Sequence, residues 1–157
     1  MKVYWGNFFQ VALFAVFLAP AILSGSGIEK KVTDLINDCQ EIILFDGSNN
    51  RYLLRQKFAE ATFEFEYRPI EPAQSSSLVY DGGTPIKKEI SPLTFKKIFE
   101  LAQQLLQKKE LHKQNREIGT CLLKMNFVSK EEKVILSRNK HIENFLNELK
   151  LLLGCQH

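Results

Sequence analysis

The side chains able to do chemistry in this chain are few: a close pair of glutamates, three histidines, three cysteines and one double-glycine turn. Glu64 and Glu66 lie in Thr62-Phe63-Glu64-Phe65-Glu66-Tyr67, an alternating run that reads as a strand. Both carboxylates would share one face, about 7 Å apart by strand rise, a separation that suits paired acid–base work. Phe63, Phe65 and Tyr67 take the opposite face, so the plainer expectation for the glutamates is a solvated outer surface. No tryptophan marks a sugar-binding cleft, since Trp5 belongs to the N-terminal segment.

His112, His141 and His157 have no metal-ligand spacing and stand in no His-Glu-x-x-His or Cys-x-x-Cys setting. Ser75-Ser76-Ser77 has loop composition, and no Gly-x-Ser-x-Gly elbow occurs. Cys121 falls within an apolar alternation, where a cysteine most simply packs. Cys39 and Cys155 fall at the ends of expected helices and form the candidate disulfide. Asp81-Gly82-Gly83 beside Tyr80 reads as a tight turn, because a phosphate-binding loop needs more glycines and a helix directly after it. The sequence therefore assigns no catalytic, cofactor-binding or metal-binding residue.

Two surfaces remain as candidates for interaction. One is the proline-ordered loop around Ile70, with Tyr80 and Asp81 nearby in sequence. The other is the basic segment Lys108, Lys109, His112, Lys113 and Arg116, whose first members also complement the negative pole of a helix end.

The elements that must position these residues have clear signals. Ser91 and Pro92 open a helix to about Lys109, with Phe95, Ile98, Phe99, Ala102, Leu105 and Leu106 as its apolar stripe. A second helix is expected over Lys140 to Leu153, with Gly154 as its stop. Ile28 to about Asp38 has the pattern of a short amphipathic helix. Glu41 to Phe45 and Tyr52 to Arg55 flank the turn formers Asp46 to Asn50 and read as a hairpin. Pro85 to Ile90 is extended, Ile118 to Phe127 alternates as a strand, and Lys133 to Ser137 is its hairpin partner across a loop at Val128 to Glu132. Local hairpins with two long helices predict an α+β fold, a mostly antiparallel sheet with both helices on one face.

Composition and the first residues set the compartment. With 157 residues, 45% hydrophobic and 25% charged, the chain has the make-up of one folded domain. Its 21 basic and 18 acidic residues are mixed along the sequence, which is not the footprint of a nucleic-acid binder. Lys2, the apolar run Val11 to Ala19 and the small residues Ser24 to Gly27 make the three parts of a secretory signal over residues 1–26, leaving 27–157 as the domain. The alternative is a retained membrane anchor. Export and the lack of a catalytic signature predict a non-catalytic domain of the periplasm, envelope or extracellular space. It would bind an unknown protein or envelope component, with membrane contact only if the N-terminal segment is kept. The other class of reading is a small secreted hydrolase whose site assembles only in the fold, drawing on Glu64, Glu66 and His112.

Overall fold

A computed structural model describes residues 34, 36–57, 62–74 and 82–154. The expected signal segment, most of the expected first short helix, Tyr80, Asp81 and Cys155 lie outside the described residues.

Seven strands form one sheet: β1 (Cys39–Phe45), β2 (Arg51–Lys57), β3 (Thr62–Arg68), β4 (Ile86–Ile90), β5 (His112–Lys113), β6 (Cys121–Phe127) and β7 (Glu131–Leu136). Their order is β4-β3-β2-β1-β6-β7-β5 and every neighbouring pair is antiparallel. Helix α1 (Pro92–Gln107) follows β4, and α2 (Lys140–Leu153) follows β7. The chain is thus α+β, as the hairpin-and-helix pattern predicts.

Both helices begin as the sequence indicates. The Ser91 hydroxyl accepts from the Thr94 amide at 3.1 Å, and Pro92 takes the first turn, where a missing N–H breaks nothing. Asn139 accepts from the amides of His141 and Ile142 at 2.8 and 3.2 Å, and Gly154 ends α2 in the left-handed region at φ 78°. The two helices run antiparallel: Lys97, early in α1, meets Glu148, late in α2, at 2.6 Å. At the other end, Lys108 Nζ lies 2.9 Å from His141 Nε2.

The register sorts the sheet into two faces. Ile42, Leu44, Leu54, Phe65, Leu123 and Met125 share the helix side and are buried there with Phe95, Phe99, Ile142 and Phe145. This is the core. On the other side, Glu41, Arg55, Glu64 and Glu89 form one row across four strands, and Ile43, Leu53, Glu66 and Lys87 form the next.

That second face is not the solvated surface the alternation suggests. Glu64 and Glu66 are only 4% and 7% exposed, and Leu53 and Leu122 on the same side are buried. Burying a carboxylate is tolerable only with partners, and the neighbouring strands bring them. Arg55 Nε donates to Glu64 Oε1 at 2.8 Å, while Lys57 and Lys87 each reach Glu64 Oε2 at 3.3 Å. Glu66 takes Arg68 and, at 3.8 Å, Arg55. Three further boundaries differ from the sequence reading. Ile118 is fully exposed before β6, because Glu117 to Thr120 closes a turn held by Thr120 Oγ1 donating to the Glu117 carbonyl at 2.7 Å. β7 starts at Glu131, inside the expected loop. His112 and Lys113 form a two-residue strand at the edge of β7, where the sequence shows only the tail of a helix.

Candidate functional site

A cleft opens at the end of the sheet where β1 turns into β2, and it follows α2 from Arg138, just before the helix, to Leu153, its last residue. Fourteen helical residues at 1.5 Å rise make that wall about 21 Å long. The cleft volume is about 450 Å³, within the range of small-ligand sites.

The wall opposite α2 is a turn built by its own side chains. Asp46 Oδ1 accepts from the amides of Ser48 and Asn50, both at 2.9 Å, and its other oxygen accepts from Asn50 Nδ2 at 2.8 Å and, at 3.4 Å, from the Tyr52 hydroxyl. Asn50, buried, then accepts from the Ile70 amide at 3.1 Å and fixes the turn to the segment after β3. Asn49 takes a left-handed φ of 71°, which asparagine tolerates better than most residues. Gly47 is required by contact: a Cβ there would fall 2.9 Å from the Gly119 carbonyl oxygen. Gly119 itself holds φ +82°, so the second loop of the wall also depends on glycine.

The floor is aromatic. Tyr52 and Tyr67 pack with ring centroids 4.9 Å apart and planes tilted by 45°, and the Tyr67 hydroxyl donates to the Gly82 carbonyl at 2.5 Å. Cys121, the first residue of β6, also reaches the floor and is 1% exposed. Burial pushes its thiol up to about 11, with the Asp46 carboxylate adding to the shift. A thiol so held is protonated at neutral pH and is a poor nucleophile. Cations stand on the helix wall: Lys150, and Arg138, whose Nε meets Glu143 at 3.3 Å in an exposed pair.

The residues singled out from the sequence do not converge here. Glu64 and Glu66 lie on the other face of the sheet, in β3. Burial is the largest influence on Glu64 and acts to raise its pKa. The hydrogen bonds from Arg55, Lys87 and Lys57 together outweigh it and hold the carboxyl below the usual range. His112 sits in β5, five strands from β3 and so about 24 Å away across the sheet, with Nε2 3.1 Å from the Leu105 carbonyl. The hydrolase constellation of Glu64, Glu66 and His112 is therefore not assembled. The basic segment also disperses: Lys108 faces His141, Lys109 enters a 3-10 turn, Lys113 is exposed at the sheet edge, and Arg116 reaches the β1–β2 turn. Ile70 is half-buried, held by its amide bond to Asn50.

Cys39 opens β1, buried and free, and burial raises its thiol to about 12. Its candidate partner, Cys155, is outside the described residues. Sequence reasoning missed the cleft residues Asp46, Asn50, Tyr52, Arg138 and Lys150. The signal for Asp46 and Asn50 was their place in a cluster of turn formers, which marked the turn but not the wall it makes. Among the described residues, no helix is long and apolar enough to cross a membrane. Compared with known proteins, the chain matches no family model, no curated protein and no solved structure.

Proposed function

We propose that this chain is an exported, non-catalytic binding domain and that its ligand, an unidentified protein or envelope component, seats in the cleft along α2. The observation that carries this reading is the chemistry of the cleft lining. The Asp46 carboxylate is consumed in holding its own turn, and the one nucleophile on the floor is buried and held protonated. What is accessible along the cleft is suited to contact: half-buried Leu146 and Leu153, the exposed cations Arg138 and Lys150, and Ile118, which stands fully exposed at the rim. A concave cleft of this volume, lined by apolar side chains and a few polar groups, is the usual form of a ligand site. The export half of the proposal rests on residues 1–26 alone.

A photo-crosslinking side chain at position 118, in the protein produced in its own host, tests the cleft. The control carries the same group at Val128, which is 65% exposed in the β6–β7 turn at the opposite end of the sheet. A discrete adduct at 118 that is absent at 128 is expected, and its mass identifies the ligand; equal labelling at both positions overturns the reading. N-terminal sequencing of the same material tests export: a start at residue 22 or at residue 27, after cleavage behind Ala21 or Ser26, is expected, and an intact Met1 in the membrane fraction rejects the cleaved signal.

A further inference from the structure

The other face of the sheet carries a charge arrangement that the salt-bridge lattice does not explain. At the end next to the β1–β2 turn, the register sets Leu122, Phe45, Arg51 and Arg68 in one row across four strands. Arg51 and Arg68 are directly opposite, and like charges in that position repel. Arg68 has Glu66 as partner, but Glu66 is shared with Arg55. Arg51 is half-buried and forms no ion pair among the described residues. A third guanidinium closes on the same row: Arg116 donates to Asn49 Oδ1 and places its central carbon 5.7 Å from the centre of the Phe45 ring. That distance is a cation–π contact, which fixes the arginine over the row.

Three arginines stand against the shared Glu66 and the exposed Glu117 at this end of the face, an excess of about one positive charge. The Asp46 carboxylate, the next acid along the chain, is turned into its own turn, and Glu117 is exposed beside Arg116. A half-buried arginine opposite another arginine costs the fold stability. We propose that Arg51, Arg68 and Arg116 form a binding site for a phosphate group. A phosphate carries about −1.5 to −2 charge at pH 7, opposite in sign to the excess, and planar guanidinium forks match its oxygens in pairs. Arg51 and Arg68 lie on the opposite side of the sheet from the α2 cleft, and Arg116 joins them by way of the β1–β2 turn that walls that cleft.

The phosphate could be free or presented by a lipid headgroup, and two arms separate these sources. One titrates inorganic phosphate into the protein at constant ionic strength set with chloride, following the arginine side-chain resonances. The other measures co-sedimentation with phosphatidic acid vesicles against phosphatidylcholine vesicles. Saturable binding in either arm is expected, weakened at least tenfold by Arg51→Gln and by Arg68→Gln. Binding in neither arm, or binding that Arg51→Gln leaves unchanged, overturns the proposal. Thermal unfolding supplies a readout of opposite sign to a merely structural role. In phosphate-free, low-salt buffer, Arg51→Gln is expected to raise Tm by relieving the repulsion, whereas phosphate raises the Tm of the natural protein and not that of the variant. A lowered Tm for Arg51→Gln in phosphate-free buffer, as loss of a structural residue would produce, counts against the site.

Discussion

The two faces of the sheet are built from the same strands and obey different physics. Along β3, Phe65 faces the helices with no measurable exposure, and its neighbours Glu64 and Glu66 face away and are nearly as buried. Phe65 is held by apolar burial, which is non-directional and survives modest repacking. Glu64 is held by three named cations on two adjacent strands, an arrangement that is directional and depends on charge state. Burial alone therefore does not tell which side of a sheet is the core; what separates the faces is the kind of interaction that makes burial tolerable.

The comparison is broken most severely on the helix side. Phe65→Ala removes a ring from the packed centre and is expected to cost about 3–5 kcal/mol, read as a lower urea midpoint with little change in slope. On the opposite face, Glu64→Gln leaves Lys57 and Lys87 about one-third and more than one-half exposed, free to rehydrate. The expected loss is therefore smaller, about 1–2 kcal/mol in the same measurement. A Glu64→Gln loss equal to that of Phe65→Ala would show that the faces are not energetically distinct.

The pH dependence sharpens the contrast. Glu64 has a folded pKa below its unfolded one, so its contribution is fully present above the unfolded value, near 4.5. It is lost as pH falls from there through the lowered folded pKa. Urea midpoints measured downwards from pH 6 should fall more steeply in the natural protein than in Glu64→Gln, the two curves converging in acid. Phe65→Ala should instead run parallel to the natural curve.

Smaller still are the effects at the margins of the two faces. Asn139→Ala removes the cap of α2 and should cost about 1 kcal/mol, measured by thermal unfolding. The sheet edges carry a charge on the helix side of each outer long strand, Lys88 on β4 and Glu132 on β7, as register with Phe65 and Met125 shows. An inward charge is a known defence of an exposed edge. Lys88→Val should leave monomer stability within about 0.5 kcal/mol while promoting self-association, seen as a concentration-dependent sedimentation coefficient.

Much of this fold was legible from local pattern. The apolar stripe and Ser91-Pro92 marked α1, Gly154 marked the end of α2, and the aromatic alternation of Thr62 to Tyr67 gave β3 its facing. These are properties of residues within a few positions of each other, and the helical and strand periods encode them directly. The edge pairing of His112 and Lys113 was not legible, because a two-residue strand carries no period and exists only where β7 offers its backbone.

For the candidate sites the balance reverses. Residue types alone determined that Glu64 and Glu66 share a face and that Asp46 to Asn50 is a turn. Only the tertiary structure decided that this face is buried under Arg55, Lys57 and Lys87, that the turn forms one wall of a cleft whose other wall is α2, and that Arg51 meets Arg68 with Arg116 above the same row. The reason is separation: Arg51 and Arg68 are brought together by hairpin register and Arg116 by a loop near β6. Neither spacing nor periodicity records a contact between residues that far apart in the chain.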